Sequence, residues 1–279
     1  MEKFKLQTLH KLAKRVDTPD NGQVTIIGGS DLFHGAPILS LRVASRIVDM
    51  VYFSSLEPSV SRVAEQVKSQ LGSFVWVPWN EVDSYIEKSD SVLIGPGMKR
   101  WHLEKEKIKY QKSKIAVFDE AGTQTKFATE RLLKKFPNKQ WVIDGGALQT
   151  MDATLIPANS ILTPNSKEYE MLFDKMKVNE AAKKYNCIIV LKGSISIVCS
   201  PEECVQVRGG NAGLTKGGTG DVLAGLTAAL VASNDPFLAA CTASWVVKKT
   251  ADTLLAQVGT VYNADDLANE IPKVLGKYL

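Results

Sequence analysis

Histidine and cysteine are scarce in this chain: three and four residues respectively among 279. His10, His34 and His102 are scattered, with no pair at metal-ligand spacing, so a histidine-built metal centre is excluded. Cys187, Cys199, Cys204 and Cys241 form no CxxC, and three of them sit in or beside apolar runs. They are expected to be small buried hydrophobes in a reducing compartment, not a disulfide framework. Long apolar runs are lacking too. The longest mostly apolar stretch, 222–232, is too short to cross a bilayer, and residues 1–16 lack the continuous apolar region of a secretory signal. Charge of one sign is modest: 34 Lys and Arg against 30 Asp and Glu give a net charge of +4. That suits the approach of an anionic small molecule but falls far short of the basic stripe of a nucleic-acid binder. With 44% hydrophobic and 23% charged residues, neither disorder nor a fibrous class is indicated. A soluble cytoplasmic protein is expected, with no membrane or nucleic-acid partner.

What is present is an alternation. Short β-branched or aromatic runs recur at 24–28, 50–54, 74–78, 91–95, 115–119, 141–144 and 187–193. Segments of helical periodicity lie between most of them, such as 36–48, 59–71 and 125–136. Continuous apolar strands separated by helices predict an α/β fold, a mostly parallel central sheet with helices on both faces. Runs at 194–200 and 204–208, separated only by "PEE", predict an antiparallel hairpin towards the C-terminus of that sheet. Helices are predicted at about 220–233, 236–256 and 264–278, with Asn234-Asp235-Pro236 as a stop and restart signal. Phe4, Leu6, Leu9, Leu12 and Val16 interleave with basic residues, so residues 1–20 read as a helical extension lying on the domain or on a neighbouring subunit. "KEKIKYQKSK" (105–114) reads as a solvated helix face. No linker or repeat divides the chain, and 1–279 reads as one domain.

The most informative stretch is "RGGNAGLTKGGTGDVLAGLTAALVA" (208–232), where glycines lead into an apolar helix. A helix N-terminus offers unpaired backbone N–H groups and a positive dipole end, which together seat an anion. Gly217, Gly218 and Gly220 let backbone approach phosphate oxygens closely. Asp221, in the first turn, is either a capping residue or a base aimed at a substrate hydroxyl; at that helix end it is expected to be ionised at neutral pH. The order G-x-x-x-x-G-K-[ST] is absent, so this is no Walker A loop, and its place after the last strand is wrong for a dinucleotide fingerprint. Four other stretches sit where strands end. They are "GGSDLFHGAP" (28–37), "GPG" (95–97), "TPNSKEYEMLF" (163–173) and "LKGSIS" (191–196). Each is readable as an ordinary turn or helix start, or as part of a ligand site; Lys192 could meet a nucleotide phosphate or only solvent.

Taken in order, "GGS", "GAP", "GPG", "DGGAL", "TPNSKE", "LKGS" and "GNAGLTKGGTGDVLAG" resemble the ADP/ATP-dependent NAD(P)H-hydrate dehydratases of the ribokinase-like superfamily, over residues 20–260. The resemblance implies a three-layer ribokinase-like domain that phosphorylates the ring hydroxyl of NADH-hydrate or NADPH-hydrate and eliminates phosphate. It implies Asp221 as the base and the amides of Gly218, Thr219 and Gly220 as the anion hole. Lys192, Gly193, Ser194, Ile195, Ser196, Asn211 and Gly220 would line the nucleotide side, and Ala36, Gly97, Asn165 and Asp221 the hydrate side. Mg2+ would come with ADP or ATP, held by phosphate oxygens and water, with no protein ligand assigned. The absence of an attached epimerase domain favours ADP, and the family's habit favours a homo-oligomer, with a tetramer among the options. The chain departs from the family at Asn165, where histidine is usual, and at Gly145-Gly146, where "DADAL" is usual. Asn165 cannot carry the positive charge of a histidine. The alternatives are a small-molecule hydroxyl kinase of the same fold, acting on a thiazole, pyrimidine or sugar alcohol, and a silent nucleotide-binding module.

Overall fold

The structure, a computed structural model, describes residues 2–4, 12, 20–101 and 120–278. Its strands are β1 (Glu2–Lys3), β2 (Gln23–Ile27), β3 (Met50–Ser54), β4 (Val75–Trp76), β5 (Ser91–Ile94), β6 (Gln140–Ile143), β7 (Ile161–Leu162), β8 (Ile188–Leu191), β9 (Ser196–Cys199) and β10 (Cys204–Val207). They form one ten-stranded sheet in the order β1-β10-β9-β8-β7-β6-β5-β2-β3-β4. All pairs are parallel except β8–β9 and β9–β10, the antiparallel end of the sheet. This is the mostly parallel, three-layer α/β arrangement with an antiparallel hairpin that the sequence predicts.

Two apolar cores explain why the central strands are apolar without alternation. On β2 and β6, Ile26 and Val142 enter one core, while Ile27 and Ile143 enter the other. A strand covered on both faces needs no polar side. The first core is closed by α1 (Gly35–Ala44), α2 (Ser59–Val67) and the last three helices, α8 (Thr219–Val231), α9 (Pro236–Val258) and α10 (Ala264–Leu275). The second is closed by α3 (Val82–Lys88), α4 (Glu120–Lys135), α5 (Gly145–Thr150), α6 (Ser166–Phe173) and α7 (Val178–Tyr185). Helices α3 and α5, of seven and six residues, are too short to show a helical periodicity in the sequence. Among the described residues no helix is long and apolar enough to cross a membrane.

Helix α8 is buried on almost every side, and Gly225 is the reason it can lie so close to α1. A Cβ at Gly225 would stand 2.5 Å from Ser40 Cα and 2.6 Å from its carbonyl oxygen. Gly225→Ala is therefore expected to push the two helices apart and to lower stability by about 1–3 kcal/mol, the usual cost of overpacking. Urea unfolding reads this directly; an unchanged midpoint would contradict the tight crossing.

The structure corrects the cysteine expectation. Cys199 and Cys204 are directly opposed in the β9–β10 register, with Cα atoms 4.1 Å apart, and form a disulfide. The hairpin places the two thiols side by side, which their five-residue separation in sequence does not reveal. Cys187 and Cys241 are free and buried, as expected. At the N-terminus, Glu2–Lys3 form a strand against β10 where the sequence suggests helix. The remainder of that predicted helix, residues 5–11 and 13–19, lies outside the described residues, as do the 105–114 charge run and the 115–119 strand.

Candidate active site

The C-terminal ends of the parallel strands bring the sequence-separated motifs to one edge, where open α/β sheets bind ligands. Gly28-Gly29 follows β2, Gly95-Pro96-Gly97 follows β5, Asp144 follows β6, Thr163-Pro164 follows β7 and Lys192 follows β8. These loops interlock through bare backbone. Gly29 donates to the Pro96 carbonyl at 2.8 Å, and a Cβ on Gly95 would stand 1.8 Å from the Asp144 carbonyl oxygen. Gly97 packs against α1: a Cβ there would be 3.1 Å from the Ala36 Cβ.

The N-terminus of α8 points into this edge. Gly218 is its N-cap, with φ of 91°, and a Cβ on it would strike Leu39 at 2.5 Å and Ala264 at 2.8 Å. Gly218 is thus required by the protein itself. Gly217 and Gly220 are different. A Cβ on Gly217 would meet no atom within 4 Å, and one on Gly220 would meet only the ammonium end of Lys192, at 3.2 and 3.9 Å. Neither has a packing reason to lack a side chain, so their bareness leaves room for a ligand to approach the helix N–H groups. Asp221, the third residue of the helix, is anchored through its main chain, because Ser40 Oγ donates to its carbonyl at 2.7 Å. Ser40 stands one helical turn from Ala36, so Asp221 and the Ala36–Gly97 contact belong to one neighbourhood.

The electrostatics centre on Lys192. Its Nζ lies 2.9 Å from Asp144 Oδ1 and 3.8 Å from Glu168 Oε2. Asp144 is 3% exposed and its Oδ1 also accepts from Thr163 Oγ1 at 2.8 Å. Glu168 accepts from Gln149 Nε2 at 3.2 Å and from the Asn165 amide at 2.8 Å. Burial alone would pull Lys192 down, but Asp144 and Glu168, with Asp221, hold its ammonium above the ordinary lysine value. Burial raises the Glu168 carboxyl, opposed by Lys192. Asp221 is pushed up to about 7, by burial first and by the Asp144 carboxylate second, with Lys192 opposing. This corrects the expectation that the helix N-terminus keeps Asp221 ionised at neutral pH: burial and a like charge outweigh the dipole.

Two consequences follow from the raised carboxyl. For stability, Asp221 keeps its proton in the folded state and loses it in the unfolded state between about pH 4 and 7, so its contribution to folding stability falls as pH rises through that window. For reactivity, the free-enzyme rate constant kcat/KM should climb about tenfold per pH unit below pH 7 and level off above it, if Asp221 acts as a base. A profile flat from pH 5.5 to 8 would remove Asp221 from that role.

Three carboxylates around one ammonium leave the cluster with an excess of negative charge. Among the described residues no three acids, cysteines or histidines converge closely enough to chelate a metal directly. The acids of the cluster are hard oxygen donors of the kind that suits a divalent cation such as Mg2+.

Beside this cluster opens a cavity of about 620 Å3. Lys192, Gly193, Ser194, Ser196, Asn211, Thr219 and Gly220 all line it, so the structure gathers most residues expected on the nucleotide side. Ile195 is absent from the wall and is 39% exposed. Asn165, expected beside Ala36 and Gly97, lies in this same wall. Its Oδ1 caps α6, accepting from Lys167 N at 2.9 Å and Glu168 N at 3.0 Å, so the residue that replaces the family histidine has a local task of its own. The Asn211 side chain is also consumed within the protein, accepting from Gly213 N and Tyr262 Oη and donating to the Ala251 carbonyl. The other departure, Gly145-Gly146, is explained by contact: a Cβ on Gly146 would stand 2.3 Å from the Met98 carbonyl oxygen. A larger, more open cavity of about 770 Å3 beside the disulfide hairpin contains none of the expected residues.

Asp144, Glu168 and Lys248 stand at the candidate site without a role assigned to them from the sequence, although the first two fall within "DGGAL" and "TPNSKE". Asp144 ends an apolar strand before two glycines, and Glu168 follows Asn165 at capping-box spacing, so both carry a signal. Lys248 carries none, since it lies in the middle of a helix.

A mostly parallel α/β sheet, a glycine-lined helix N-terminus after the last strand, an acid in that helix's first turn and a cavity beside it together make up a ribokinase-like fold with a candidate site at its sheet edge. A solved structure of a ribokinase-like superfamily protein from Enterococcus faecalis V583 has the same fold, with a TM-score of 0.77 at 20% identity over 99% of this chain and 96% of that one. The chain belongs to the NAD(P)H-hydrate dehydratase family, whose sequence model matches residues 24–273. It is 34% identical over 277 residues to the bifunctional NAD(P)H-hydrate repair enzyme of Methanocaldococcus jannaschii, covering 97% of this chain and 51% of that protein. The chain thus spans about half the length of the first curated relatives it matches. The ADP/ATP-dependent NAD(P)H-hydrate dehydratase of Bacillus subtilis, co-crystallised with ATP and Mg2+, has a TM-score of 0.74 at 20% identity, covering 100% and 99% of the two chains.

Proposed function

We propose that this chain catalyses the nucleotide-dependent dehydration of NADH-hydrate and NADPH-hydrate to NADH and NADPH. The observation that carries the reading is the pairing of bare glycines at the α8 N-terminus with the Asp221–Lys192–Asp144 cluster, in a chain that belongs to the dehydratase family. ADP or ATP occupies the cavity of about 620 Å3, with its terminal phosphoryl group towards Gly218, Thr219 and Gly220. The hydrate lies on the Ala36–Gly97 side, its ring hydroxyl against Asp221.

The chemistry follows from what leaves. Hydroxide is a poor leaving group, whereas phosphate is a good one. The hydroxyl oxygen attacks the terminal phosphorus of the nucleotide and its proton passes to Asp221. The bond from the bridging oxygen to that phosphorus breaks, releasing AMP from ADP or ADP from ATP. The ring nitrogen's lone pair then expels phosphate as the C–O bond breaks, and loss of the neighbouring carbon's proton restores the ring double bond. Backbone N–H groups at 218–220 stabilise charge on the moving phosphoryl group, and Lys192 holds the site's acids in register. Mg2+ arriving with the nucleotide would neutralise phosphate charge, and Asp144 and Glu168 are the acids that would help to hold it.

On the same reading residues 1–279 form a single domain, and the protein is cytoplasmic and homo-oligomeric, with a tetramer among the options. The test is an assay with NADH-hydrate, Mg2+ and either ADP or ATP. Recovery of NADH absorbance with matching phosphate release supports the reading. A stable phosphoester of a thiazole, pyrimidine or sugar alcohol, with no hydrate turnover, would replace it by the kinase alternative; nucleotide binding without any turnover would replace it by the silent module.

A further inference from the structure

Lys248 sits in the middle of α9 with only 4% of its surface exposed. Its ammonium donates to three main-chain carbonyls: Gly193 at 3.0 Å, Ser194 at 2.8 Å and Gly209 at 3.1 Å. All three N–H bonds of the group are thereby spent. A lysine buried this deeply is disfavoured unless its charge is met. Burial lowers its proton affinity and Asp252 opposes that shift. An apolar side chain would fill the same helix face without that desolvation, so the lysine is explained by the carbonyls it gathers.

Those carbonyls belong to two separate walls of the cavity. Gly193 and Ser194 form the turn between β8 and β9, and Gly209 begins the turn after β10; Lys248 lies in the wall between them. The 209–211 wall has other ties to α9. Asp252 Oδ2 accepts from Gly210 N at 3.1 Å, and the Ala251 carbonyl accepts from Asn211 Nδ2 at 2.8 Å. The 193–194 turn is tied to α9 through Lys248.

The geometry points to Lys248 as a positioning residue for the nucleotide: it fastens the β8–β9 turn to the 209–211 turn and so sets the width of the cavity between them. The inference rests on reading that cavity as the nucleotide site. Lys248 does not contact the reacting groups, so its loss acts on nucleotide affinity and not on the chemical step.

The test compares wild type, Lys248→Met and Lys248→Gln. Calorimetry measures binding of ADP and of ATP with Mg2+, and kinetics are taken at saturating nucleotide. Lys248→Met should weaken nucleotide binding at least about tenfold, the weight of a lost charge-assisted hydrogen bond. Its kcat and its KM for the hydrate should stay within about threefold, the signature of lost binding and not lost transition-state stabilisation. Lys248→Gln, which keeps two N–H donors at shorter reach, should fall between. A lower Tm with unchanged nucleotide affinity makes Lys248 merely structural and overturns the inference. If wild type binds neither nucleotide, the reading of the cavity fails; if wild type and Lys248→Met bind equally well, only the clamp fails. Should Lys248→Met not accumulate as folded protein, hydrogen exchange on wild type decides. Nucleotide should protect the amides of 193–195 and 209–211 together, and protection of one turn alone contradicts the coupling.

Discussion

Asp221→Asn should lower dehydratase turnover by on the order of 100-fold or more, the usual consequence of losing a general base. Asparagine keeps the shape of the side chain and leaves the main-chain carbonyl free to accept from Ser40 Oγ, so the helix start should stay in place. Nucleotide affinity should change little, because the cavity wall does not include Asp221. Stability should move the other way. Wild type holds Asp221 ionised above about pH 7 against burial and the Asp144 carboxylate, and the neutral amide removes that cost. The Tm of Asp221→Asn at pH 8 should therefore exceed that of wild type, the pattern of a site kept for activity at the expense of stability. Turnover within about threefold of wild type would dismiss Asp221 as the base.

Lys192→Met should be the more damaging change overall. Methionine matches the length of the lysine stem but leaves Asp144, Glu168 and Asp221 with no cation among them. Removing one partner of a buried ion pair costs about 3–5 kcal/mol, and the Lys192 side chain is 21% exposed against 4% for the Asp144 side chain, so the pair is shielded enough for that scale. The carboxylates are expected to answer by taking up protons. The acidic limb of the kcat/KM profile should then move above pH 7, away from the range in which Asp221 works in wild type. Two measurements check this: urea unfolding at pH 7 and the pH profile of the variant. A loss below about 1 kcal/mol, the scale of an exposed pair, with an unmoved limb would mean that the lysine serves only the nucleotide.

Much of this architecture is visible in the residues themselves, and the exceptions have physical causes. Runs such as 91–95 and 141–144 read as parallel strands because both of their faces are buried, and the structure places β5 and β6 there. The glycine-rich stretch reads as a helix N-terminus because its glycines precede an unbroken apolar helix, α8. The individual roles of those glycines are not legible. Gly218 and Gly225 are glycines because protein atoms crowd them, whereas Gly217 faces open space and Gly220 only the ammonium end of Lys192, and only three-dimensional neighbours distinguish these cases. Gly145-Gly146 stands out in the sequence only as a departure from the family pattern; in the structure it opens α5, with Gly145 at φ of 51° and Gly146 against Met98. Lys192 is recognisable as a cation near a ligand site, but its partners Asp144 and Glu168 come from other strand ends. The ionisation of Asp221 escapes the sequence for the same reason, because a helix dipole can be read from residue order and burial beside a second carboxylate cannot. The disulfide requires the hairpin register. Lys248 requires knowing which carbonyls the folded chain aims at a helix.

The central claim is that the ring hydroxyl of the hydrate attacks phosphorus and leaves as part of phosphate. NADH-hydrate carrying 18O in that hydroxyl, turned over with ADP or ATP and Mg2+, tests it directly. The predicted result is 18O recovered in inorganic phosphate in step with NADH formed, with both lowered by on the order of 100-fold or more for Asp221→Asn. Recovery of the 18O in water, with unlabelled phosphate, would contradict phosphorylation of the hydroxyl, and with it the roles of Asp221 as base and of the glycine-lined helix end as phosphoryl seat.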